Sequence, residues 1–147
     1  MRPAGHIILS AGSGFLLGLW LKSYPAALAY FLSGIFIDVD HFLDYYLARK
    51  KITFSYKDLV YYCDFDKGGK LYLIFHAYEF LFIFWLMSFS YEFNDAALGI
   101  GLGVTVHLIC DALTNPVKPL TYFIIYRIQK GFDKRQLLSE KYWRKFD

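Results

Sequence analysis

Four histidines, His6, His41, His76 and His107, stand in or at the edge of stretches that are otherwise apolar, and three of them have carboxylates close by. Asp38-Val39-Asp40-His41 closes one stretch, His76-Ala77-Tyr78-Glu79 lies early in another, and His107 precedes Asp111 by four residues in a third. Asp38/His41 and His76/Glu79 are i, i+3 pairs and His107/Asp111 is an i, i+4 pair, so within a helix the members of each pair face one way. Asp40 is two residues from Asp38 and points elsewhere in a regular helix, unless the helix frays there. Imidazole and carboxylate together suit zinc, manganese or iron(II) better than an oxygen-lined magnesium site. A catalytic zinc takes about three protein ligands and keeps an open position. The candidate metal ligands are His6, Asp38, His41, His76, His107 and Asp111, with Glu79 or Asp40 as general base. These groups exceed one site and call for two ions, or for one ion with outer partners and a base.

The elements that must position these residues are apolar. Of 147 residues, 56% are hydrophobic, 20% charged and 21% aromatic, including 15 Phe and 13 Tyr, with a mean hydropathy of +0.31. The length suits one domain. The composition excludes a disordered chain, and two cysteines exclude a disulfide scaffold. A net charge of +3 gives no nucleic-acid footprint. The charges avoid four stretches, Ile7–Leu21, Tyr24–Ile37, Leu71–Tyr91 and Ala96–Cys110, the third interrupted by His76 and Glu79 and the fourth holding His107 near its end. A membrane-crossing helix needs roughly 17–25 residues for a hydrocarbon layer of about 30 Å. Each stretch reaches that length when its polar residues sit inside the membrane edge, and four soluble core helices would need more polar cover than the chain has. Asn115-Pro116 ends the fourth stretch, because Pro disfavours helix in the residue before it. Leu120–Ile128 is too short to span and reads as an interfacial or re-entrant helix. The expected fold is therefore all-α, a polytopic membrane bundle of four transmembrane helices plus a short interfacial helix. Residues 1–131 form the membrane-embedded domain with a polar loop at 49–70, and residues 132–147 form a basic cytoplasmic tail. The first stretch is expected to remain in the mature protein, since its apolar run is long for a signal peptide and Tyr24-Pro25-Ala26 is a poor cleavage site.

Charge gives the orientation. Threaded as alternating hairpins, four spans place the turns at Lys22–Tyr24 and Glu92–Asp95 on one side. Arg2, the Arg49–Lys70 loop and the tail from Lys118 then lie on the other. Lys22 is the one basic residue left opposite, so the positive-inside rule puts both termini in the cytoplasm. An odd number of spans scatters the basic residues over both faces. Counting from the far-side turns also gives depth. His6 and Asp38 are each 16 residues from Lys22, His76 is 16 and Glu79 13 before Glu92, and His107 and Asp111 are 12 and 16 after Asp95. At 1.5 Å per residue these groups lie about 18–24 Å from the turns, a spread of one helical turn. Ionisable groups in a membrane are costly and mark functional sites by default.

Each group taken singly has a plainer reading: His6 as an interfacial histidine, His76 hydrogen-bonded to a neighbouring helix, Asp38 and Asp40 as caps, Asp111 paired with Lys118 or Arg127. Their shared depth is what favours a common metal site. Cys63 and Cys110 read as reduced, inert thiols, although Cys110 beside Asp111 is a minor ligand candidate. Gly12, Gly14 and Gly18, and Gly99, Gly101 and Gly103, read as small residues for close packing of the first and fourth spans. Trp20, Trp85 and Trp143 read as interfacial or lipid contacts, and the basic tail as attracting anionic head groups.

Gly5-His6-Ile7-Ile8-Leu9-Ser10, Ile37-Asp38-Val39-Asp40-His41, and the run from Gly103 through His107, Asp111 and Thr114 to Pro116 resemble the YdjM-like bacterial and archaeal membrane-bound metal-dependent hydrolases. That family shows a GH start, a PDIDH-like motif and an HxxxDxxTPxG-like motif. The resemblance covers roughly residues 4–125 and is distantly shared with the zinc-dependent phospholipase C group. Ile37 stands where the family has Pro. Of the family's third motif, similar to H-R-G-x-T-H-S, only His76 matches, with Ala77 at the position of Ser and Glu79 as a substitute polar group.

The expectation is a hydrolase of the inner membrane of a prokaryote with one or two divalent ions, zinc before manganese or iron. Its partner is membrane lipid and its substrate a phosphoester or lipid-like molecule met at head-group depth. The rival is a non-enzymatic membrane protein with a structural or sensing metal, or one that docks a cytoplasmic partner. A proton or metal conduit needs polar groups at several depths, and the far half of each span is nearly bare.

Overall fold

The computed structural model describes residues 3–65, 69–90 and 94–144. Arg2, Lys67, Glu92 of the far-side turn and Lys145 lie outside them. Among the described residues every regular element is helical, and strand-like pairing is limited to isolated bridges of Lys70 with Asp133 and Val117 with Leu138. In chain order the helices are α1 (Pro3–Leu21), α2 (Tyr24–Phe36), α3 (Asp40–Arg49), α4 (Tyr56–Phe65), α5 (Tyr78–Ser90), α6 (Asp95–Thr114), α7 (Ile124–Gln129), α8 (Lys134–Leu137) and α9 (Glu140–Trp143), with 3-10 turns at Ile37–Val39 and Pro119–Tyr122. Three helical runs, Ala4–Leu21, Tyr24–Arg49 and Asp95–Thr114, are long and apolar enough to cross a membrane; Tyr78–Ser90 is a shorter apolar helix. Between 17% and 33% of each long run is buried within the protein, so residues such as Leu16, Trp20 and Leu28 turn their apolar surface outward.

The chain forms two compact units. The first comprises Met1–Asp38 and Tyr78–Asn115. Here α2 packs against α1 and α6, and α5 lies on α6. The turn between α1 and α2 is tight, with Lys22 at φ 51° and Ser23 capping α2 by accepting the Ala26 amide at 3.3 Å. Asn94 caps α6 in the same way, accepting the Ala97 amide at 2.8 Å, with Asp95 in the first turn favoured by the helix dipole. Asn115, before Pro116, leaves the helix in extended conformation. The small residues do their work against α2. A Cβ at Gly99 or Gly103 would fall on α2 backbone at Ala26 and Tyr30, and one at Gly18 would fall on Ala27. Gly14 and Gly18 of α1 and Gly99 and Gly103 of α6 thus seat their helices on α2, whereas Gly101 faces Phe84 and Trp85 of α5 and Gly12 meets nothing within 4 Å. Trp85 Nε1 donates to Thr105 Oγ1 at 3.1 Å and ties α5 to α6.

The second unit comprises Val39–Ala77 and Pro116–Asp147. Residues 71–77 are not helical, and α5 starts only at Tyr78, later than the apolar pattern from Leu71 implies. The physical reason is that distant side chains take the backbone groups a helix would use. Asp44 accepts the amides of Tyr72 and Leu73, and Asp40 those of Phe75 and His76. Arg127 donates to the carbonyls of Tyr72, Leu73 and His76. Each of these backbone groups is thereby satisfied without a helix. Lys134, itself buried, donates to the Tyr62 carbonyl at 3.1 Å and lies 3.8 Å above the Tyr62 ring. The segment from residue 132 carries α8 and α9, with Leu137, Leu138 and Tyr142 buried.

Candidate metal centre

In the first unit, the start of α1 and the end of α6 bring His6, His107 and Asp111 together. All three are 2% exposed, and they offer ligand atoms that all lie within 4.8 Å of one another. His6 Nε2 is 2.9 Å from Asp111 Oδ1, and His107 Nε2 is 3.5 Å from Asp111 Oδ2. The two imidazoles stack with centroids 3.8 Å apart and planes at 16°. Asp38, in the 3-10 turn that follows α2, brings Oδ1 to 3.4 Å from His107 Nε2. The Asp38 side chain is 20% exposed, against 0–3% for the other three.

The hydrogen bonding of His107 decides what this cluster can hold. Its Nδ1 lies 2.8 Å from the carbonyl oxygen of Gly34. A carbonyl only accepts, so Nδ1 carries the hydrogen, and in the neutral ring Nε2 presents a lone pair. That lone pair faces the carboxylates of Asp111 and Asp38, which only accept when ionised. Such a buried arrangement is satisfied either by a proton on Nε2, making an imidazolium between the carboxylates, or by a bound metal ion. The donor set of two imidazoles and one or two carboxylates fits a divalent transition metal. A histidine ligand oriented by a hydrogen bond from its other ring nitrogen is the usual arrangement around such ions.

The second unit holds the remaining histidines. His76 Nδ1 is 3.1 Å from Asp40 Oδ2, which also accepts the amides of Phe75 and His76 at 2.7 and 3.2 Å. Asp40 Oδ1 is buried with no hydrogen-bond partner among the described residues. The His41 ring lies 5.2 Å from that of His76, tilted by 56°, and His41 Nδ1 is 3.7 Å from Cys63 Sγ. Because His76 precedes α5, it does not share a helical face with Glu79, which stands half-buried in the first turn of that helix. Sequence reasoning missed Asp44, Tyr62 and Lys134, and named Arg127 only as a partner for Asp111, whereas its guanidinium donates to the carbonyls of Tyr72, Leu73 and His76. The i, i+4 spacing of Asp40 and Asp44 was the available signal that two carboxylates of α3 face one way.

No protein-family model matches the chain, and comparison with curated proteins and with solved structures gives no significant match.

Proposed function

We propose that the chain is a metal-dependent hydrolase embedded in the inner membrane of a prokaryote, acting on a phosphoester or lipid-like substrate at the cytoplasmic face. The convergence of His6, His107 and Asp111 within 4.8 Å, with Asp38 beside His107, carries this reading. The resemblance of the His6, Asp38–His41 and His107–Thr114 segments to YdjM-like hydrolases supports the reaction class. In this reading the bundle has four spans. The fourth is α5, an apolar helix with no buried residue, and Leu120–Ile128 lies in the interface. The basic residues put both termini in the cytoplasm.

Held by these residues, a divalent ion, zinc before manganese or iron(II), supplies Lewis-acid polarisation of the scissile bond and acidifies water. The protein's own groups do the remaining work. Asp111 bridges His6 and His107 with its two oxygens and fixes both rings, while the Gly34 carbonyl fixes the tautomer of His107. Asp38 is the more open carboxylate of the set. His76 and His41 are the ligands for a second ion, or outer partners. Glu79 or Asp40 is the base in this reading.

The test is turnover of phosphoester and phospholipid substrates by purified protein, with and without chelator, beside Asp111→Ala. Chelator-sensitive turnover that Asp111→Ala lacks supports the reading. Bound metal without turnover of any phosphoester favours a structural or sensing ion.

A further inference from the structure

The chain leaving the second candidate span carries an apolar edge set among cations. The run Tyr24–Arg49 ends at Arg49. Lys50 follows in left-handed conformation, φ 55°, with its amide on the Tyr46 carbonyl at 2.8 Å. This cap turns the chain off the helix axis. Residues 51–55 are irregular and lead into α4. Thr53 and Ser55 are spent on the start of α4. Thr53 Oγ1 accepts the Ser55 amide at 3.0 Å and donates to Asp58 Oδ2 at 3.3 Å, and Ser55 Oγ accepts the Asp58 amide at 3.3 Å. These are local side-chain bonds of the kind that cap and fix turns. Ile52, Phe54 and Tyr56 alternate with them and stand 74%, 94% and 57% exposed. Arg49, Lys50, Lys51 and Lys57 surround this edge, and Asp58 is the single acidic residue between Arg49 and Cys63.

We propose that residues 50–57 are a lipid anchor, in which Ile52, Phe54 and Tyr56 enter the interfacial layer of the bilayer and Lys50, Lys51 and Lys57 engage anionic phospholipid head groups. Continuity of the chain points to a bilayer as the occupant, since residues 50–57 follow directly on the helical run that carries the second candidate span, Tyr24–Arg49. Charge argues the same way, because apolar side chains flanked by lysines match an anionic leaflet. The proposal goes beyond the catalytic reading, in which residues 49–70 are a cytoplasmic loop, and depends only on the span.

The test uses the full chain in lipid nanodiscs of phosphatidylcholine alone or with added phosphatidylglycerol. A spin label is attached at Phe54→Cys in a Cys63→Ser, Cys110→Ser background. Collisions with oxygen are compared with those of a water-soluble nickel chelate. Leu16→Cys, exposed on α1, is the control for the span. The expected result is oxygen-dominated relaxation at both positions in anionic discs, with position 54 shifting towards nickel in zwitterionic discs. Oxygen at position 16 with nickel at position 54 in anionic discs overturns the anchor and leaves the span standing; nickel at both overturns the span as well. Hydrogen exchange on the unsubstituted protein gives a second answer if the cysteine variants do not fold. Amides of residues 52–54 are expected to be more protected in anionic than in zwitterionic discs. Each of Lys50→Gln, Lys51→Gln and Lys57→Gln is expected to lower that protection about fivefold. Equal exchange in both discs, or protection that needs an added protein, overturns the proposal.

Discussion

His6 Nε2 lies 2.9 Å from Asp111 Oδ1, so the beginning of α1 meets the last turn of α6. Both helices are long and apolar enough to cross a membrane, and their polar groups meet at one end. Asp38, just past the end of α2, joins at the same end through His107. The cost of placing these groups in apolar helices is met by clustering them where they satisfy one another.

The packing that brings the helices together is directly testable. A Cβ at Gly99 or Gly103 would overlap the α2 backbone, whereas one at Gly12 meets nothing within 4 Å. Gly99→Ala and Gly103→Ala are expected to destabilise the protein by about 1–3 kcal/mol through overpacking. Gly12→Ala is expected to be neutral or to stabilise by up to about 1 kcal/mol, since Ala is the better helix former. Thermal unfolding in detergent checks this; similar losses at all three positions would contradict the packing.

Arg127 holds three carbonyls of the non-helical segment, those of Tyr72, Leu73 and His76. Arg127→Ala leaves these acceptors to be resatisfied and is expected to cost about 3 kcal/mol or more. Arg127→Lys is expected to recover little, because the ammonium lacks the planar fork that reaches several acceptors. Unfolding and hydrogen exchange over residues 72–76 measure both variants, and full rescue by lysine would argue for a charge effect alone.

Asp40 does for the amides what Arg127 does for the carbonyls. Asp40→Ala is expected to speed exchange at Phe75 and His76, each of which loses a charge-assisted bond of about 1.5–3 kcal/mol. Asp40→Asn, which keeps one acceptor oxygen, is expected to fall between. Unchanged exchange at both amides in Asp40→Ala would remove the carboxylate from the clamp.

Metal binding should appear as stability. An ion present at about 100 times its dissociation constant adds about 2.7 kcal/mol to unfolding, and a chelator removes it. The gain is lost towards acid pH, because histidine and carboxylate ligands bind metal only when deprotonated. Asp111→Ala is expected to show neither response. A metal-dependent rise in melting temperature that persists in Asp111→Ala would place the ion elsewhere.

The sequence discloses unevenly what the structure contains. The runs α1, α2 and α6 are legible because charges are nearly absent from them, Asp95 and Asp111 of α6 apart, and because Asn115-Pro116 marks the end of the last. The approach of His6, Asp38, His107 and Asp111 is legible as well. Residue counts from the turns put them at one level, and the i, i+4 spacing puts His107 and Asp111 on one face. The start of α5 is not legible. Leu71–Ala77 is as apolar as a helix interior, and it stays irregular because Asp40, Asp44 and Arg127, far away in sequence, take its backbone groups. No local pattern records such a clamp. Arg127 and Lys134 look like solvated charges of a basic segment, yet each is 1% exposed and bonded to backbone carbonyls.

The most direct measurement is metal content per chain, by elemental mass spectrometry, for the purified protein and for His107→Ala and Asp111→Ala. The predicted result is about one or two equivalents of a divalent transition metal in the unsubstituted protein, with loss in both variants while the helical content is retained. Equal metal in all three proteins, or none in the unsubstituted protein after loading with zinc, manganese and iron(II), would contradict a metal centre built on His6, His107 and Asp111.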